Sequence, residues 1–305
     1  MKLVFFPCCI SSAFLDRYES TTQTVLAELG IAVHSSKEFN CCGYPLKGCN
    51  YSAYIHLAAK NLAIAESKGV RLLTPCGCCF GSLKHVESLL RGNAALRADV
   101  NKALAKEGLQ YSGTAKVKHV LEILLEDVGI ENLKARIDRK HKGLKIATHY
   151  GCHLLRPREI VNFDNPFRPV KFDQLVEVTG AESVDWSEKL ECCGAPLLGV
   201  NRPLSMSLTR TKLGSAKRAG ADYICSACPC CHIQIEKVRE ELLAEHGVIF
   251  RLPSITYLQL LGICLGVDER DLGLNERDPV DLNALCAIRH LRGGPEALRG
   301  AHARV

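Results

Sequence analysis

Three observations in the sequence predict an α/β protein made of two tandem copies of one domain. The first is an internal rhyme: Phe39-Asn40-Cys41-Cys42-Gly43-Tyr44-Pro45-Leu46 returns as Leu190-Glu191-Cys192-Cys193-Gly194-Ala195-Pro196-Leu197. The second is constant spacing around that rhyme. An asparagine follows eight residues after the second cysteine (Asn50, Asn201), and a glycine nineteen residues later (Gly69, Gly220). A β-rich stretch then runs into Cys-Gly-Cys-Cys (76–79) or Cys-Pro-Cys-Cys (228–231). The third is alternation, because short β-rich runs are separated by stretches of helical period, the pattern of parallel sheets crossed by helices.

The elements follow in order. Residues 3–6 read as a buried strand ending at Cys8-Cys9, 20–29 and 53–68 as helices, and 70–74 as a second strand. In the second copy, 145–149 form a strand ending at Cys152, 205–219 a helix and 223–226 a strand. Each last cysteine is expected to start a helix with one apolar stripe, Leu83, Val86, Leu90 and Ile235, Val238, Leu242, which is core. The joint is expected near Gly143, giving domains of residues 1–143 and 144–305, with an Arg-rich tail from about 287. Two tandem homologous Rossmann-like α/β domains are the predicted fold, related by a pseudo-two-fold axis. In such sheets ligands gather beyond the carboxyl ends of the strands, so the cysteines there should face the interdomain cleft.

Bulk properties exclude several classes. With 305 residues, 47% hydrophobic and 24% charged, the chain is neither disordered nor collagen-like. The N-terminal apolar run stops at Pro7 and is followed by Ser11, Ser12 and Asp16, so it reads as a strand and not a signal peptide. The apolar stretch 255–267 is too short to span a bilayer, and a cytoplasmic location is expected. Net charge is +6, with basic residues concentrated in 134–145, a solvated linker or a docking surface for an acidic partner. With 6% aromatic residues and no helix-turn-helix or finger spacing, nucleic acid is not expected as a partner. The absence of any Gly-x-Gly leaves no dinucleotide fingerprint, hence no flavin or nicotinamide site.

The seventeen cysteines carry the chemistry. An odd number cannot all be paired within the chain, and a domain of this size needs no disulfide staples. Five thiols recur in register: Cys9, Cys41, Cys42, Cys76, Cys79 and Cys152, Cys192, Cys193, Cys228, Cys231. The remaining seven, Cys8, Cys49, Cys78, Cys225, Cys230, Cys264 and Cys286, lie outside these sets. Structural zinc wants four ligands in a closed tetrahedron and is chelated awkwardly by adjacent cysteines. A dithiol redox motif accounts for one Cys-x-x-Cys and leaves three thiols per half unexplained. Iron–sulfur is favoured, because soft thiolates bind several irons and adjacent cysteines can serve neighbouring irons. The positive end of the helix beyond each cysteine run suits an anionic group.

These residues carry a family likeness. The pattern Cys9-x31-Cys41-Cys42-Gly43-x32-Cys76-x-x-Cys79 and its second copy resemble the duplicated cysteine-rich (CCG) domain of the B subunit of heterodisulfide reductase, over roughly residues 1–270. Gly151-Cys152-His153 and Phe163-Asp164-Asn165-Pro166 belong to the match. The resemblance implies that each complete motif is similar to those binding a noncubane [4Fe–4S] cluster through five cysteines, so both sets of five would be ligands. It further implies a disulfide cleaved, or formed, between the two clusters. The expected partners are a ferredoxin-like iron–sulfur subunit of the C type, a flavin-bearing subunit of the A type, and a small disulfide or organosulfur substrate. Electron-relay subunits of lactate, glycolate or succinate oxidoreductases share the domain, as do sulfur-oxidising complexes, and both remain alternatives. His153, with a pKa near neutrality, is the candidate proton donor, and His232 a weaker one. Arg156, Arg158 and Lys212 would suit an acidic substrate but are expected to be solvated surface.

Overall fold

In a computed structural model, described for residues 2–15, 17–137, 140–246 and 252–274, two four-stranded parallel sheets of identical topology follow one another along the chain. The first half runs β1 (Leu3–Phe5), α1 (Cys9–Phe14), α2 (Tyr18–Glu28), β2 (Val33–His34), α3 (Tyr51–Ser67), β3 (Arg71–Thr74), α4 (Gly77–Gly92), α5 (Ala94–Leu104), β4 (Lys116–His119), α6 (Val120–Glu122) and α7 (Ile130–Arg136). The second runs β5 (Lys145–His149), α8 (Cys152–Leu155), α9 (Arg158–Val161), α10 (Lys171–Val178), β6 (Glu182–Ser183), α11 (Arg202–Arg218), β7 (Tyr223–Ser226), α12 (Pro229–His246), β8 (Ser254–Thr256) and α13 (Tyr257–Leu265). The Arg-rich tail and Cys286 lie outside the described residues.

Strand order is β2-β1-β3-β4 in one sheet and β6-β5-β7-β8 in the other. Both are the Rossmann-like arrangement expected from the alternation of elements. Leu3 and Val4 pair in parallel with Val33 and His34 on one side, and with Arg71 and Leu72 on the other. In the second sheet Ile146 lies between Ser183 and Tyr223. Central strands are buried on both faces, which is why they read as continuous apolar runs. The long helices α3 and α11 start alike: Asn50 accepts a hydrogen bond from the Ala53 N–H (3.0 Å), and Asn201 from the Leu204 N–H (3.1 Å). These caps explain the recurring asparagine.

The halves pack reciprocally. The helix after the first strand of each half lies against the cysteine helix of the other: α1 on α12, and α8 on α4. The helices after the last strands also cross over, α13 onto α2 and α7 onto α10. The larger of two apolar clusters therefore runs through both halves, with Tyr150, Phe172 and Tyr257 stacked edge to face within it, and a smaller one around Trp186 and Ile235 lies in the second half. Among the described residues, no helix is long and apolar enough to cross a membrane.

Candidate metal centre

In each sheet the strand order reverses between its two central strands, so the chain leaves their carboxyl ends in opposite directions and opens a crevice there. Cysteines occupy these ends. β1 leads to Cys8 and to Cys9, the first residue of α1; β5 leads to Gly151 and to Cys152, the first residue of α8. β3 leads to Cys76, the N-cap of α4, and β7 to Cys228, directly before Pro229 at the head of α12. The cysteine helices thus begin just after the first cysteine of each run, and not at its last as expected. A proline is tolerated in this first turn, where its missing N–H has no partner to lose.

The Cys-Cys-Gly loops are fixed by backbone. Gly43 and Gly194 have φ of +82° and +91°. A Cβ on either would sit 2.8 Å from the Tyr54 carbonyl oxygen or 2.6 Å from that of Ser205. Only glycine satisfies both demands, and the cysteine pairs are held against α3 and α11 in consequence. The Asn61 amide donates to the Cys41 carbonyl (3.1 Å), and the Thr209 hydroxyl to the Cys193 carbonyl (2.7 Å).

These supports draw each set of five into a string. Cys9 and Cys41 bring their sulfurs to 3.5 Å; Cys41 adjoins Cys42, Cys42 adjoins Cys79, and Cys79 adjoins Cys76. In the second half Cys152 adjoins Cys192, and the string continues through Cys193 and Cys231 to Cys228. The strings meet end to end, with the Cys76 and Cys228 sulfurs 3.7 Å apart. Neighbouring thiols, together with the Gly43 and Gly194 backbone N–H groups, hold Cys41 and Cys192 well below the ordinary thiol range. The thiolate is the metal-binding form.

Three thiols outside the sets join these strings. Cys78 and Cys230 complete a group with Cys76 and Cys228 whose sulfurs all lie within 4.8 Å of one another, and Cys8 stands within the same distance of Cys76 and Cys79. The counterpart of Cys8 in the second half is Gly151, at φ +76°, where a Cβ would come within 3.6 Å of the Cys231 sulfur. Cys225 and Cys264 are buried apart from the strings, and exposed Cys49 hydrogen-bonds to the Leu46 carbonyl.

His153 stands at the junction. Its Nδ1 is 3.5 Å from both the Cys152 and the Cys78 sulfur, one from each half, and the Tyr44 ring packs on it edge to face. Its backbone is pressed onto α4: a Cβ on Gly81 would lie 2.8 Å from the His153 carbonyl oxygen. Partial burial lowers the imidazole pKa, while the Cys228 thiolate pushes it back up. His232 is elsewhere, buried with Nδ1 3.0 Å from the Ser254 hydroxyl. Arg156 and Arg158 are exposed, as expected. Lys212 corrects its surface assignment: it is 1% exposed, its amine covers the Trp186 ring and donates to the Glu188 carbonyl. Sequence reasoning also passed over His149, buried within 4.8 Å of the Cys193 and Cys231 sulfurs. Its position at the end of a strand, three residues before Cys152, was the available signal.

Known proteins resemble this chain. The profile of the cysteine-rich CCG domain matches residues 3–84 and again 146–236. The B subunit of the ferredoxin/F(420)H(2)-dependent CoB-CoM heterodisulfide reductase of Methanosarcina acetivorans is 33% identical over 96% of this chain and 99% of its own length. The 8-methylmenaquinol:fumarate reductase membrane anchor subunit of Wolinella succinogenes is 30% identical, covering 90% of this chain and 95% of its own. The crystal structure of a hypothetical protein from Helicobacter pylori superposes with a TM-score of 0.71 at 17% identity over 90% of this chain; the chain spans about half (51%) of that structure, and the likeness concerns the fold. With both copies of the motif matched and a relative aligned nearly end to end, the chain belongs to the family of heterodisulfide reductase B subunits, built on a duplicated CCG cysteine-rich domain.

Proposed function

We propose that this chain is the component of a heterodisulfide reductase-like complex at which a disulfide is cleaved or formed, each string of five thiols holding one noncubane [4Fe–4S] cluster. The observation that carries this reading is the meeting of the two strings at Cys76 and Cys228, with His153 in reach of a sulfur from each half. The donor set fits the group: thiolates are the ligands iron–sulfur clusters take, and two helix N-termini point their positive ends at the same place. When bound, two such clusters supply one electron each, matching the two electrons an S–S bond consumes on reduction.

The residues of the chain supply the rest. Reduction to two thiols takes up two protons, and His153 is positioned to deliver one at the junction. Burial makes its imidazolium a readier donor than a solvated one, and the edge-on Tyr44 ring with the Gly81 backbone contact holds it there. Electrons come from outside, from a ferredoxin-like partner of the C type and beyond it a flavin-bearing partner of the A type, because no Gly-x-Gly fingerprint is present. Reduced thiols of this number suit the cytoplasm. The division at residues 143 and 144 belongs to the same reading, each side contributing one cluster site.

A second reading is an electron relay without a disulfide substrate, favoured by the 30% identity to the fumarate reductase anchor protein. Iron and acid-labile sulfide analysis, followed by assay of the reduced protein against a panel of disulfides, separates the two. About eight irons per chain and disulfide turnover support the proposal. Full iron without turnover of any disulfide leaves the relay, and zinc without sulfide overturns both. A Cys79→Ala chain that has lost one cluster yet turns over disulfide normally overturns cleavage between the sites.

A further inference from the structure

The duplication provides an internal control, since each side chain near one thiol string has a counterpart at the other. Two pairs of counterparts differ in the same sense. Nineteen residues after the second cysteine of each pair stand Asn61 and Lys212; three residues before the first thiol of each set stand Phe6 and His149. The first half has an amide and a phenyl ring at the positions where the second has an amine and an imidazole.

Lys212 is buried on α11 one turn beyond Thr209, whose hydroxyl holds the Cys193 carbonyl. Its amine lies 4.8 Å from the centre of the Trp186 ring and donates to the carbonyl, not the carboxylate, of Glu188. A buried ammonium is costly unless negative charge compensates it. Burial lowers its pKa, and the sulfurs of Cys193 and Cys231, when ionised as cluster ligands are, oppose that fall, as do Glu188 and Cys192. His149 is 1% exposed, and a nitrogen of its ring lies within 4.8 Å of the Cys193 and Cys231 sulfurs. Whichever tautomer it adopts, a neutral imidazole carries one N–H to donate. Asn61, in contrast, spends its amide on the Cys41 and Leu57 carbonyls and the Asn40 N–H, and carries no charge.

We propose that Lys212 and His149 are positioning residues that make the two sites unequal, giving the cluster of the second half the higher reduction potential. This rests on the iron–sulfur reading above. Reduction adds negative charge, which a fixed cation and an imidazole N–H close to the sulfurs stabilise, and cluster potentials respond to both. An electron on the first site then passes downhill to the second, and the two sites take different parts in a two-electron reaction.

Redox titration of the full chain, loaded with both clusters and followed by electron paramagnetic resonance, tests this. Two midpoints are expected, and Cys79→Ala, which retains the second-half cluster alone, identifies the higher one. Lys212→Gln should lower that midpoint and leave the other unmoved; Lys212→Arg should restore it, and His149→Phe should lower it as well. Two loaded clusters whose midpoints ignore Lys212→Gln overturn the inference while leaving the iron–sulfur reading intact. A chain that carries no iron and sulfide overturns both. If Lys212→Gln does not fold, the reciprocal Asn61→Lys must raise the lower midpoint, and no shift there is equally decisive.

Discussion

Cys76 and Cys228 stand at the same place in the two halves and bring their sulfurs to 3.7 Å across the seam between them. Each ends a string of five thiols and each immediately precedes the cysteine helix of its half. Cys78 and Cys230 lie in the same four-thiol group but are not needed to complete either string. Cys76→Ala and Cys228→Ala are therefore each expected to lower the iron content by about half, the loss of one of two clusters. Cys78→Ser and Cys230→Ser should retain nearly all of it. Iron analysis of the four variants, purified without oxygen, is the measurement. Equal losses in all four would mean that the seam, and not the two strings, is the metal site.

The same comparison yields a test for the pair Cys8-Cys9. Cys9 and Cys152 both begin the helix after the first strand of their half, whereas Cys8 takes the place of Gly151. Cys8→Gly copies the second half into the first and is expected to keep both clusters. Cys9→Ala should lose one. The opposite result in iron analysis would exchange their roles.

The duplicated α/β fold was legible because repetition and strand–helix alternation are one-dimensional signals. The ten thiols were legible because recurrence separates them from the other seven cysteines. What stayed hidden depends on approach in three dimensions. Nothing in the spacing says that Cys78 of one half and Cys152 of the other share one histidine. Lys212 reads as surface because lysine almost always is, and its burial depends on the Trp186 ring and the Glu188 carbonyl folding over it. Cys8 lies outside the recurring sets in sequence, and only the fold brings its sulfur within 4.8 Å of those of Cys76 and Cys79.

The glycine of Cys-Cys-Gly answers to two constraints, and an alanine there violates both. Gly43→Ala would force a Cβ to 2.8 Å from the Tyr54 oxygen at a φ of +82°. A loss of about 1–3 kcal/mol is expected from the strained backbone, with the clash adding to it. Gly69, at φ +60° with open space around it, is the control, and Gly69→Ala should cost only about 1 kcal/mol. Denaturant unfolding of the two variants measures the difference. Gly43→Ala should also lose iron from the first half, because Cys41 and Cys42 move with the loop.

His153 is pressed onto α4 where Gly81 leaves room, so Gly81→Ala should displace the imidazole without touching a thiol. Disulfide turnover is expected to fall by roughly a hundredfold, the lower end of what general acid catalysis contributes. Iron content should stay near that of the unaltered chain. His153→Asn should give a similar loss, and combining the two changes should add little, since both act on one proton donor. Full additivity in the double variant would show that Gly81 acts by another route.

Acid should weaken the fold through its buried histidines. His119 is fully buried at the end of β4, where its Nδ1 accepts the Leu121 N–H. Burial lowers its pKa to about 4, although the Cys228 thiolate pulls the other way. The unfolded chain binds this proton near pH 6.5 and the folded chain does not, so the stability His119 contributes is complete above that pH and is lost as pH falls toward 4. Between pH 7 and pH 5 the loss amounts to about 2 kcal/mol for this one residue. His149 and His232, also lowered by burial, act with the same sign. His119→Asn keeps a side chain able to cap Leu121 but removes the titration, so its stability should fall by about 2 kcal/mol less over that interval. Urea unfolding of both proteins at the two pH values decides it: parallel losses would mean that His119 is already protonated, or already exposed, in the folded chain.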